Sequence, residues 1–139
     1  QIMYGMHLLH RSRLYPSPRI LEIGVGCGMP MGEGASAKLW RHLFPLSPIW
    51  LADVDPACIE RAQRSGLLDG VRTLVGDQAN ATDLRRWLAE LRGSVDVIID
   101  DGGHRNSMIL TAFNPEAHTQ DVCTLCVCRA ATIAHICGA

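Results

Sequence analysis

The chain has 139 residues, with 13 Lys+Arg against 14 Asp+Glu and a formal net charge of -1. Hydrophobic residues make up 47% and charged residues 19%, which excludes a disordered or fibrous chain. The balanced charge leaves no electrostatic footprint for nucleic acid or an anionic membrane, and no stretch reaches the roughly 20 apolar residues of a membrane helix. A soluble, cytoplasmic domain with small-molecule partners is the expectation. Composition sets no oligomeric state. The chain opens on Gln1 rather than Met, which suggests a piece of a longer protein. Six cysteines are present, at 27, 58, 123, 126, 128 and 137. Nothing else looks secreted, so reduced thiols are expected.

In chain order, Ile2 to Leu9 reads as a short helix, and Pro16 and Pro18 mark a turn. Arg19 to Ile23 is an apolar run ending in a glycine cluster, which suits a buried strand. Ser36 to Leu43 reads as a helix capped by Ser36 and stopped near Pro45. Ile49 to Asp53 is a second strand. Pro56 to Ser65 is a helix with Asp55 as N-cap. Val71 to Val75 is a third strand. Thr82 to Leu91 is a helix with Leu84, Trp87, Leu88 and Leu91 on one face. Val95 to Ile99 is a fourth strand, and Ser107 to Phe113 begins another helix. This alternation argues for an α/β, Rossmann-like parallel sheet with right-handed crossover helices. Ligands in such sheets bind beyond the carboxyl ends of the strands.

The residues there are informative. After the first strand comes Glu22-Ile-Gly24-Val-Gly26-Cys-Gly28, a glycine-rich cradle. The dinucleotide fingerprint wants its third glycine at 29, which is Met29. Glu22 would sit badly beside a phosphate and would suit a cationic group. After the second strand, Asp53 can accept hydrogen bonds from ribose hydroxyls, and Asp55 serves equally as a helix cap. After the third, Asp77 can accept from an exocyclic amine or act as a turn residue. After the fourth come Asp100, Asp101, Gly102, Gly103 and His104. A carboxylate there can ligate Mg²⁺, and His104 suits a general base. The bland reading is a turn followed by a helix cap.

Taken together, ILEIGVGCG (20–28), IWLADVDP (49–56), VGDQ (75–78) and DVIIDDGGH (96–104) resemble the class I S-adenosylmethionine-dependent methyltransferases. The GDQ turn with IIDDGGH is most similar to the macrocin-type sugar O-methyltransferases and cephalosporin-hydroxylase-like proteins. The resemblance implies S-adenosylmethionine as cofactor, with Mg²⁺ in the metal-dependent members. It implies that Glu22, Gly24 and Gly26 contact the methionine part, Asp53 the ribose and Asp77 the adenine end, with Gly28 also among the cofactor-binding residues. It also places Asp100 at the cofactor, Asp101 on the metal and His104 as the base. The acceptor would be a hydroxyl of a small molecule.

The resemblance covers residues 1–113, and about four of that fold's seven strands are recognisable. Residues 114–139 lack the expected acidic pair and read as an atypical, non-native Cys-rich tail. The fourth strand's edge would be left uncovered, although VCTLCV (122–127) could cover it. The tail's C-x2-C-x-C-x6-H-x-C pattern matches zinc spacing poorly. Two alternatives stand beside the methyltransferase. One is a truncated cofactor-binding module without turnover. The other is a nicotinamide-dependent oxidoreductase, which the glycine spacing disfavours.

Overall fold

A computed structural model describes residues 17–30, 32–92, 95–103, 105–112, 123–126 and 134–136. The expected helix over 2–9, Pro16 and His104 lie outside the described residues. Strand β1 is Ile20–Ile23, followed by helix α1 (Ala35–Leu43), β2 (Ile49–Asp53) and α2 (Pro56–Arg64). Then come β3 (Arg72–Val75), α3 (Ala81–Glu90), β4 (Val97–Asp100) and α4 (Asn106–Ala112). Two further strands follow, β5 (Cys123–Cys126) and β6 (Ala134–Ile136).

The strands form one sheet in the order β3-β2-β1-β4-β5-β6. Pairing is parallel from β3 through to β5, and β6 runs antiparallel at the edge. This is the doubly wound order, whose direction reverses between β1 and β4. The Rossmann-like expectation holds, and the described sheet has six strands rather than about four. The two additional strands lie in the segment read as atypical. Val97 stands opposite Cys123 and Asp100 opposite Cys126, so the β4 edge is paired where an open edge would invite aggregation. Strands this short carry little signal of their own, and their pairing is supplied by the neighbour.

Alternation along each strand sends side chains to opposite faces. Leu21, Ile23, Trp50, Ala52, Leu74 and Ile98 pack with Leu84, Trp87 and Leu91 beneath α3. On the other face, Ile20, Ile49, Val97 and Ile99 meet Trp40 and Phe44 of α1 and its end. Beside them, Val25 and Leu51 meet Ile59 and Ala62 of α2. Burial on both faces explains why these strands read as continuous apolar runs.

Helix starts follow local chemistry. Asp55 caps α2 by accepting from the Ala57 N–H at 2.9 Å, as expected. Asn80 does the same for α3 through Thr82 N–H at 2.9 Å. Ser36 does not cap α1. Gly34 holds that position in a left-handed conformation with no side-chain cap, and Ser36, already inside the helix, donates its hydroxyl to Glu22.

Candidate functional site

The carboxyl ends of β1 to β4 surround a cavity of about 430 Å³. Gly24 and Gly26 form one wall, and Asp53 and Val54 a second. Gly76, Asp77 and Gln78 form a third, and Asp101, Gly102 and Gly103 a fourth. Four separate turns, far apart in sequence, converge because adjacent parallel strands all end on one side of the sheet.

Close backbone approach explains the first glycine. Gly24 has φ +103°, and a Cβ on it would lie 2.4 Å from the Asp101 carbonyl oxygen. Its N–H donates to Ala52 O at 2.7 Å, and the Asp101 N–H donates to Ile23 O at 2.9 Å. Only glycine lets β1 end between its two neighbours in this way.

Asp53 is aimed at the same place. Its Oδ2 accepts from the Val25 N–H at 2.9 Å, and its Oδ1 from the Asp55 N–H at 3.0 Å. Each oxygen keeps acceptor capacity for a ligand hydroxyl. Asp77 makes a turn: its Oδ1 accepts from the Ala79 N–H at 2.8 Å, and its own N–H donates to Asp83 Oδ2 at 2.9 Å. The bland turn role and a place on the cavity wall coexist here. Asp101 is exposed at the cavity edge. Three carboxylates thus line the cavity, and no Lys, Arg or His does among the described residues. Such a site suits hydroxyls, amines and cations, and disfavours a pyrophosphate.

Among the described residues, the other expected positions Gly28, Glu22 and Asp100 do not line the cavity. Gly28 lies outside its wall. Glu22 is buried on the α1 side of the sheet, where its Oε2 accepts from Ser36 Oγ at 2.5 Å and Trp40 Nε1 at 2.9 Å. Burial pushes its carboxyl up to about 7, against the two hydrogen bonds, which pull it down. Ser36 and Trp40 stand four residues apart on one helical face. Two donors so placed were the signal for a buried acceptor beneath them.

Asp100 is also buried. Its two oxygens accept from Gln78 Nε2 at 3.2 and 3.1 Å. Gln78 Oε1 in turn accepts from the Gly103 N–H at 2.7 Å. Gln78 therefore ties the turn after β3 to the loop after β4, and so fixes the segment that carries Asp101. The sequence marked Gln78 only as part of a motif and assigned it no role.

One expectation about the cysteines is overturned. Cys27 and Cys58 form a disulfide, with Cα atoms 5.9 Å apart. They are 31 residues apart in sequence. The glycine loop and the first turn of α2 follow adjacent strands, and that juxtaposition brings them together. Cys27 Sγ lies 3.2 Å from Asp53 Oδ2. Among the described residues, Cys27, Cys58 and Asp53 form the one cluster of three metal-capable groups. Two of its three members are bonded to each other.

No family model matches the chain. It is 40% identical over 107 residues to a rhamnosyl-tetracenomycin C 3'-O-methyltransferase of Streptomyces olivaceus, covering 75% of this chain and 25% of that protein. It is 35% identical over 97 residues to demethylmacrocin O-methyltransferase of Streptomyces fradiae, covering 69% and 23%. Among solved structures, it is similar to the MycE methyltransferase of the mycinamycin pathway in complex with Mg, SAH and mycinamycin VI. That match has a TM-score of 0.69 and 29% identity, and covers 88% of this chain and 33% of that one. The chain spans about a quarter of the length of the curated relatives it matches.

With its doubly wound sheet, acidic residues at the ends of β2 and β3 and a glycine turn after β1, the chain has the fold of the class I S-adenosylmethionine-dependent methyltransferases and is similar in sequence to members of that class. Within that class, its relatives are sugar O-methyltransferases of the macrocin and mycinamicin type. Among the described residues, no helix is long and apolar enough to cross a membrane.

Proposed function

We propose that the chain binds S-adenosylmethionine in the cavity at the ends of β1 to β4 and serves O-methylation of a sugar-bearing small molecule. The observation that carries this reading is the carboxylate-lined cavity. Asp53, Asp77 and Asp101 face it from three different turns, with no cationic side chain among its described lining residues. A ligand with an ammonium, a sulfonium and a ribose diol complements that wall, whereas a dinucleotide would bring a pyrophosphate to it.

When bound, S-adenosylmethionine supplies an electrophilic methyl group on sulfonium. The protein's own residues do the rest. Gly24 and Gly26 let the ligand approach the backbone. Asp53 accepts hydrogen bonds from the ribose hydroxyls, and Asp77 accepts from the adenine amine. Asp101 offers one exposed carboxylate, which fits Mg²⁺ as a single protein ligand because that ion keeps several waters. The resemblance assigns His104 the proton of the attacking hydroxyl. Holding acceptor and methyl in line supplies much of the rate. Residues 1–113 would form the cofactor half of the domain.

A second reading is cofactor binding without turnover in the same cavity. Calorimetry with S-adenosylhomocysteine and with NAD tests the shared core of both. Binding of the first and not the second is expected, and heat with NAD alone would overturn both. A turnover assay with a glycosylated acceptor then separates them, since the second reading requires binding without methyl transfer.

A further inference from the structure

The glycine loop is tied to α2 by a bond that the methyltransferase reading does not use. Cys27 lines the cavity and is half-buried, while Cys58 is fully buried in the first turn of α2. Their sulfurs lie beside Asp53, the carboxylate that would hold the ribose. We infer that the Cys27–Cys58 disulfide is a thiol–disulfide exchange site whose redox state sets ligand affinity in the cavity, a proposal that rests on the cofactor reading of Asp53.

Chemistry and access agree on the direction of attack. Cys27 is the sulfur a reagent can reach from the cavity. A small dithiol is the co-reactant. Its thiolate attacks Cys27 Sγ, the S–S bond breaks, and Cys58 leaves with the electron pair. A sulfur in the first turn of a helix is a favourable leaving group. The second thiol of the reagent then displaces Cys27 and closes a disulfide within the reagent. Two electrons and two protons pass to the protein, which ends with two thiols.

The two states present different cavities. In the disulfide, Cys27 has no hydrogen to donate, and Asp53 Oδ2 accepts only from the Val25 N–H among the protein contacts described above. In the dithiol, Cys27 gains an S–H on a sulfur that in the disulfide lies 3.2 Å from that oxygen, so it can donate there and occupy acceptor capacity meant for a ligand hydroxyl. The crosslink also holds the loop in one arrangement relative to β2 and α2, which lowers the ordering cost of binding. Both effects act in the same sense, so the oxidised form binds more tightly. By linkage, bound ligand must favour the disulfide by the same factor.

The test compares the purified chain before and after dithiothreitol, with differential alkylation and peptide mass confirming the state of Cys27 and Cys58. Calorimetry with S-adenosylhomocysteine is expected to show roughly fivefold or weaker affinity after reduction, the scale of one hydrogen bond. Cys27→Ser should bind at the reduced level in both conditions. Saturating S-adenosylhomocysteine should shift the dithiothreitol equilibrium toward the disulfide. Equal affinity in two verified states would overturn the switch and leave the cofactor reading intact. Full alkylation of both cysteines before reduction would overturn it as well. No binding in either state would overturn the cofactor reading and the switch together.

Discussion

Asp53 and Glu22 are both acidic residues at strand ends, yet their environments give them opposite roles. Asp53 keeps acceptor capacity toward the cavity while holding Val25 and Asp55 N–H groups. Replacing it with Ala should weaken S-adenosylhomocysteine binding on the order of tenfold, the scale of a hydrogen bond to a charged group. Titration calorimetry measures this. Glu22 is sealed against α1, and ionising it there costs more than in the unfolded chain. Its folded carboxyl titrates near 7 against an ordinary 4.5. The native state therefore binds the extra proton between those values. Stability from this group is full below pH 4.5 and is lost as pH rises to about 7, on the order of 3 kcal/mol in all. Denaturation of the wild type and Glu22→Gln across that range should show the wild type losing ground as pH rises. A pH-independent difference would contradict it. Gln78→Leu should destabilise by about 2 kcal/mol, since it strips a donor from Asp100 and leaves the Gly103 N–H without its acceptor. It should also speed hydrogen exchange at Gly103.

At the scale of elements, helix starts show what the sequence made legible. Asp55 and Pro56 announce α2 by local chemistry, and the structure keeps that cap. Ser36 has the same local credentials, yet the helix starts before it and its hydroxyl donates to a buried carboxylate 14 residues earlier. Local rules read local contacts, and Glu22–Ser36–Trp40 is a tertiary one. The same limit hid the Cys27–Cys58 bond and the Gln78 clamp, whose partners come from neighbouring strand ends. Gly24, Asp53, Asp77 and Asp101 were legible because the alternating pattern placed each at a strand's carboxyl end. At α3, Asn80→Ala should cost about 1 kcal/mol in chemical denaturation through loss of its bond to the Thr82 N–H.

For the whole molecule, the sheet's reversal between β1 and β4 creates the crevice, and β5 keeps β4 from being its edge. The apolar runs of β1 to β4 fixed the alternation and hence the fold class. By contrast, β5 and β6 are three or four residues each and are defined by pairing, so composition made their region look foreign. Leu125→Pro removes a ladder donor from β5 and should loosen its hold on β4. Light scattering should then show faster aggregation than in the wild type.

If the four strand ends make one cofactor cavity, a bound ligand must touch all of them. Amide chemical-shift mapping with S-adenosylhomocysteine tests this most directly. The predicted result is a cluster of shifts at Gly24, Gly26, Asp53, Asp77 and Asp101, at the carboxyl ends of β1 to β4. Shifts confined to the opposite edge of the sheet, or none at saturating ligand, would contradict it.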